Sequence, residues 1–189
     1  MKKKIILASA SPRRKELLTK AGLVFDVVLS DYEEDMNLLL SPRELAKHLS
    51  KGKAESVAEK HADAIVISAD TFIVYEEQVI GKPHTPEKAK EILQMLSGKA
   101  HSVITGFTVM EKEGNSISRA EETLVFMKNL TDEIINAYIA TGEPLDKAGA
   151  YAAQGLGGAL VERIEGDIEN VVGLPTKEVL AVLKEFENQ

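Results

Sequence analysis

Residues 4–29, "KIILASASPRRKELLTKAGLVFDVVL", read as a strand, a helix and a second strand. Lys4 to Ala8 is a short apolar run. Ser11 is a good N-cap and Pro12 a good first helical residue, so a helix starts there and runs to Gly22, which suits the C′ stop. Val24 to Leu29 reads as the second strand. A β-α-β opening followed by more alternation of strand and helix signals predicts an α/β fold.

The rest of the chain fits that opening. "DYEED" (31–35) reads as a loop, "SPREL" (41–45) starts a long helix with a capping box that runs to about His61, and "AIVISAD" (64–70) is an apolar strand ending at Asp70. Glu87 to Ser97 places Ala89, Ile92, Leu93 and Leu96 on one helical face and stops at Gly98. The period then changes to two. Residues 101–111 and 117–127 are strand-like runs joined at "EKEGNS", a hairpin, so part of the sheet is antiparallel. Thr131 caps a helix whose inner face carries Ile134, Ile135, Tyr138 and Ile139, with Gly142 at its end. A Gly- and Ala-rich passage follows, then a strand near 160–164 and a last helix over 176–186. No linker and no repeat beyond the two Ser-Pro-Arg helix starts interrupts residues 1–189, which read as a single domain.

With 189 residues, 44% of them apolar, the chain can bury a core. It has no cysteine, so disulfides and thiolate metal sites are excluded, and the composition fits a reducing cytoplasm. The apolar part of "MKKKIILASAS" is too short for a signal peptide, and no stretch is long enough to span a membrane. A net charge of −7 and a pI near 5.2 argue against nucleic acid or a membrane surface as partner. An anionic ligand needs locally concentrated positive charge.

Arg13 and Arg14 are the first sign of such a place. Both lie in the first turn of a helix, where the macrodipole already puts positive charge, while the parallel start at Ser41 carries Glu44 instead. A strand followed by a helix N-terminus aims backbone N–H groups at an anion, and Ser9, Arg13 and Arg14 would complete a phosphate clamp. Alternatively both arginines are exposed and pair with acids elsewhere, at a cost of about a kcal/mol. Removing Arg14 is expected to relieve this repulsion. Asp70, where an apolar strand emerges, can bind Mg²⁺ or act as a general base, or merely cap a turn. Lys53 shares a helical stripe with Ala46, Leu49 and Val57, so it points toward the packed side. Lys82, between Gly81 and Pro83, is an ordinary loop lysine when taken alone. The four histidines show no ligand spacing, and no P-loop or dinucleotide fingerprint is present.

"ILASASPRRKELL" (6–18), "ISADTFIV" (67–74), "IGKPHTPEKAKEIL" (80–93), "LSGKAHSVITGF" (96–107), "EPLDKAGAYAAQG" (143–155) and "VVGLP" (171–175), in that order, closely resemble the Maf (septum formation protein) family of nucleotide pyrophosphatases. The resemblance implies an elongated, curved mixed β-sheet flanked by helices, of the inosine-triphosphatase-like kind, with two lobes and a central cleft. It implies hydrolysis of a nucleoside triphosphate to monophosphate and pyrophosphate with a divalent metal cation (Mg or Mn), in cytoplasmic and often homodimeric proteins. Carried over by position, Asp70 is the proton acceptor, Ser9, Arg13, Arg14, Lys53 and Lys82 handle phosphate, and Glu33 joins Asp70 at the metal. Arg13, Thr71 and Gln154 resemble the branch acting on dTTP and UTP, where the 7-methyl-GTP branch tends to have Trp, Gln and Glu. The segment after Gln154 departs from the family's usual pattern: it has an extra small residue, and Ile168-Glu169 where aromatic residues are common.

Two other readings are a 7-methyl-GTP pyrophosphatase and a non-catalytic nucleotide-binding regulator of cell division. Asp70 separates the binder from the enzyme, because a carboxylate beside a triphosphate repels it unless a metal or a proton-transfer role offsets the repulsion.

Overall fold

The computed structural model describes residues 3–36 and 38–187 and is a mixed α/β fold. β1 (Lys4–Leu7), α1 (Pro12–Lys20) and β2 (Asp26–Val27) form the opening, and β1 pairs in parallel with both β2 and β3 (Ala64–Tyr75). Between β2 and β3 lies α2 (Pro42–Ala58). β4 (Gln78–Ile80), α3 (Pro86–Leu96), the hairpin β5 (Ala100–Met110) and β6 (Ser116–Met127), and α4 (Asp132–Ala140) follow. Three short 3-10 turns (Glu143–Asp146, Ala148–Ala150, Gly155–Leu160), β7 (Val161–Glu165), α5 (Ile168–Val172) and α6 (Thr176–Glu187) complete the order. The strand order is β2-β1-β3-β5-β6-β7, with β4 on β3.

The chain divides into two compact units. The first comprises Met1–Thr71, Thr105–Glu121 and Gly173–Gln189. In it, Ile6 and Ala8 pack with Ala54, Val57 and Ala58 of α2, with Ala64 and Val66 of β3, and with Met110 of β5. Gly106 of β5 faces the backbone of Ala46 so closely that a Cβ would land on the Ala46 carbonyl. Glycine is therefore what lets α2 lie on β5 here.

The second unit comprises Phe72–Ile104 and Glu122–Val172. Its core joins Ile92, Leu93 and Leu96 of α3 to Ile135 and Tyr138 of α4 and to Val103, Val125 and Met127 of β5 and β6. β6 and β7 are antiparallel, with an irregularity between Phe126 and Met127.

Both Ser-Pro starts are helix N-termini: the Ser11 hydroxyl accepts from the Arg14 N–H and that of Ser41 from the Glu44 N–H, each at 3.4 Å. Only half of the expected capping box forms, since the Glu44 carboxylate pairs with Lys47 at 2.6 Å. The predicted second strand shrinks to two residues, because Val24 and Leu29 are 90% and 63% exposed and no core holds them. β3 does not end at Asp70. The β-forming residues Thr71 to Tyr75 carry it onward, and Ile73 to Tyr75 pair with β4. The turn between them is Glu76-Glu77, both at positive φ (48° and 63°), which gives a two-residue hairpin without the usual Asn-Gly signal. On α4 the inner face is narrower than the periodicity suggested: Ile135 and Tyr138 are buried, whereas Ile134 is 43% exposed. The short helix α5 was not anticipated.

Candidate active site

In the first unit, Arg14 is already held. Its Nε donates to the Gly173 carbonyl at 2.8 Å, Nη1 to Ser9 Oγ at 3.2 Å and Nη2 to Thr71 Oγ1 at 3.1 Å. Thr71 Oγ1 also shares a 2.9 Å hydrogen bond with the buried hydroxyl of Thr105. Burial pulls the Arg14 pKa down, the charge of Asp70 opposes that, and Arg13 adds repulsion. Among the described residues no carboxylate is hydrogen-bonded to this guanidinium, so its positive charge meets neutral oxygens and remains available to an anion. Arg13 is half-buried and makes no hydrogen bond or ion pair to another described residue. The two arginines therefore differ: Arg14 is a fixed part of the fold, and Arg13 is the cation at the helix start with no hydrogen-bonded or ion-paired partner among the described residues. Removing Arg14 therefore relieves the expected repulsion at the helix start but also breaks its bonds to three acceptors.

Gly173 is the partner that the sequence left without a role. Its φ of +127° suits glycine alone and turns its carbonyl toward Arg14. A Cβ there would stand 3.6 Å from Arg14 Nε, so backbone conformation, and not space, requires the glycine.

Lys53 projects from α2 toward β3, as its stripe predicted, and its ammonium is shared by two carboxylates. It bonds Asp70 Oδ1 and stands 2.8 Å from Glu34 Oε1. The Lys53 and Asp70 side chains are only 13% and 11% exposed. Within the acidic run, Glu34 is the residue that arrives here. Glu33 is exposed and contacts no other described residue through a hydrogen bond or ion pair. Nothing in the composition of "DYEED" separates the two, because the distinction depends on how the loop lies against α2.

Two carboxylates from different elements converging on one cation form a hard oxygen donor set. Mg²⁺ takes one or two carboxylates and completes its shell with water and phosphate oxygens. Among the described residues no group of three or more His, Asp or Glu stands together as a ready-made metal site. Asp70 and Glu34 therefore suit a divalent cation whose other ligands come with a phosphorylated substrate.

In the second unit, Lys82 and Gln154 lie on loops tied to one segment. The Gly149 N–H donates to the Gly81 carbonyl at 3.1 Å, and the His84 N–H to the Leu145 carbonyl at 3.2 Å, so backbone bonds hold both sides of Lys82. Lys82 and Gln154 are exposed, and neither side chain is hydrogen-bonded to another described residue. Gly149, at φ +70°, has no room for a side chain, because a Cβ would strike Ile73. Deeper in this unit, His101 Nε2 and the Tyr151 hydroxyl share a 2.7 Å hydrogen bond, and burial lowers the His101 pKa to about 4. No helix among the described residues is long and apolar enough to cross a membrane.

The family described as Maf-like protein matches residues 4–186. The chain is 48% identical over 184 residues to a dTTP/UTP pyrophosphatase of Bacillus cereus (strain ATCC 10987 / NRS 248), covering 97% of this chain and 90% of that one. It is 48% identical over 186 residues to a dTTP/UTP pyrophosphatase of Bacillus cytotoxicus, covering 98% and 97%. Among solved structures, a HAM1 protein from Coxiella burnetii shares the fold, with a TM-score of 0.55 and 15% identity over 97% of this chain and all of that one.

Proposed function

The chain belongs to the Maf-like protein family, and from that premise we propose that it hydrolyses dTTP and UTP to the monophosphate and pyrophosphate. The observation that carries the reading is the Lys53–Asp70 pair in the same unit as Arg13 and Arg14. A largely buried carboxylate beside the cations repels a triphosphate unless a metal or a proton-transfer role offsets the repulsion, and hydrolysis uses it to accept a proton. Near-half identity to relatives named for this reaction supports it over nearly the full length.

In this reading Arg13, Arg14, Ser9 and Lys53 receive the triphosphate, and Lys82 adds a further cation. Asp70 takes a proton from water as the water oxygen bonds to the α-phosphorus, and the bond from that phosphorus to the bridging oxygen breaks to release pyrophosphate. Arg14, locked by Gly173, Ser9 and Thr71, does not have to reorganise as charge moves onto the leaving group. A divalent cation, Mg²⁺ or Mn²⁺, would be held by Asp70 with Glu34 or Glu33 and would supply Lewis-acid stabilisation of that charge. Gln154 offers both a donor and an acceptor, which match the O4 and N3–H edge of uracil or thymine. A glutamate there could only accept, which suits the donors of a guanine.

The test is kcat/KM on UTP, dTTP, GTP and 7-methyl-GTP with Mg²⁺ or Mn²⁺. Preference for the two pyrimidine nucleotides is expected, on the order of a thousandfold over 7-methyl-GTP. Preference for the methylated purine overturns the base assignment, and turnover of none of the four overturns the enzyme.

A further inference from the structure

Gln154 can read a base edge only if its loop holds still, and the loop's fixings lie in the same unit. The Ala152 N–H donates to the Tyr138 hydroxyl oxygen at 3.3 Å, just before Gln154. Just after it, the Leu156 N–H donates to Glu143 Oε2 at 3.3 Å and the Gly157 N–H to Glu143 Oε1 at 3.0 Å. The Tyr138 hydroxyl itself donates to Glu143 Oε1 at 2.8 Å. One hydroxyl and one carboxylate therefore hold both ends of the loop and each other.

The glycines report the same closure. A Cβ on Gly157 would meet the Ala152 carbonyl oxygen and the Tyr138 hydroxyl oxygen, each at 2.5 Å, and the Ala152 nitrogen at 2.7 Å. Residues 152 and 157 are thus in backbone contact, with Gln154 at the tip between them. Gly155 stands at φ +72° and faces Glu143 Oε2 at 3.2 Å from its would-be Cβ. Burial of Glu143 disfavours its charge, yet the Tyr138 hydroxyl, the two N–H donors and Lys147 outweigh that and lower its pKa.

We infer that Tyr138 and Glu143 are positioning residues for base selection: they clamp the 152–157 loop so that the Gln154 amide is presented in one orientation. The inference rests on the reading of Gln154 as the base-contacting residue. Neither side chain needs to touch the nucleotide. A fixed amide discriminates between donor and acceptor patterns, whereas a loop free to rotate it can satisfy either and loses the penalty for a mismatch.

The experiment compares Tyr138→Phe, Glu143→Gln and Glu143→Ala with the wild type. Its readouts are kcat and KM for UTP and GTP, and inhibition by inorganic tripolyphosphate, which presents the phosphates without a base. Glu143→Gln puts an amide donor against one of the N–H groups, and Glu143→Ala removes every acceptor. The UTP-to-GTP ratio of kcat/KM should fall about tenfold in Tyr138→Phe and Glu143→Gln and about a hundredfold in Glu143→Ala, chiefly through KM for UTP. Tripolyphosphate should inhibit all four proteins equally. If Glu143→Ala does not fold, the two milder variants still decide the matter. A ratio that stays at its wild-type value overturns the clamp, and so does a parallel weakening of tripolyphosphate inhibition, which marks general loosening. A wild type that turns over UTP no faster than GTP overturns the pyrimidine reading as well, and is distinguished because it precedes any variant.

Discussion

Replacing Arg14 with alanine should destabilise the protein without nucleotide, while replacing Arg13 should stabilise it. Arg14→Ala removes donors to the Gly173 carbonyl, Ser9 and Thr71. Each acceptor keeps another partner: Thr71 retains Thr105, Ser9 retains the Ser11 N–H at 3.2 Å, and the Gly173 carbonyl retains only a long 3.4 Å bond from the Thr71 hydroxyl. The loss therefore centres on the Gly173 carbonyl, which gives up a charged donor at 2.8 Å and keeps only that longer bond, and losing a hydrogen bond to a charged group costs about 1.5–3 kcal/mol. Relief of charge at the helix start returns about 0.3–1 kcal/mol. The net loss is about 1–2 kcal/mol, or roughly 2–8 °C in Tm for a chain of this size. Arg13→Ala forfeits no hydrogen bond and keeps the same relief, so its Tm should rise by roughly 1–4 °C. Thermal unfolding of the three proteins by circular dichroism, without and then with UTP, measures both. An Arg14→Ala protein that melts at or above the wild type refutes the view that this arginine is built into the fold.

Asp70→Asn should lower kcat by about a hundredfold or more, with a Tm close to that of the wild type, because Lys53 keeps Glu34 at 2.8 Å; activity assays beside melting curves check both. His101 is held near pKa 4 against 6.5 in an unfolded chain, so the unfolded state binds the extra proton between those values. Its contribution is complete above pH 6.5 and disappears as pH falls toward 4. Between pH 7 and 4.5 the wild type should lose about 2 kcal/mol more stability than His101→Gln in denaturant titrations; equal losses contradict this. Gly106→Ala forces a methyl onto the Ala46 carbonyl, and because backbone cannot yield as a side chain would, soluble yield and Tm should both collapse.

Local signals carried most of the fold. The Ser-Pro caps, the glycines at 22 and 98 and the change of period after Gly98 each marked an element that forms where expected. What was not legible depends on neighbours distant in sequence. β3 continues beyond Asp70 because β4 is there to pair with it, through a Glu-Glu turn that no turn preference announces. Val24 and Leu29 look like strand residues, yet find nothing to cover them. At the candidate site, Arg13 and Arg14 were conspicuous by being misplaced against a helix dipole, and Asp70 by following an apolar run. Their division of labour was not, since it is decided by a carbonyl at position 173, far along the chain. Glu34 and Glu33 are chemically identical, and only the path of the loop selects which one reaches Lys53.

The most direct measurement of the central claim is hydrolysis of UTP in ¹⁸O-labelled water with Mg²⁺ present, followed by mass analysis of the products. Attack of water at the α-phosphorus, with Asp70 accepting its proton, places one ¹⁸O in UMP and none in pyrophosphate, and orthophosphate appears only after a pyrophosphatase is added. Label in pyrophosphate, or direct release of orthophosphate with UDP, contradicts the account.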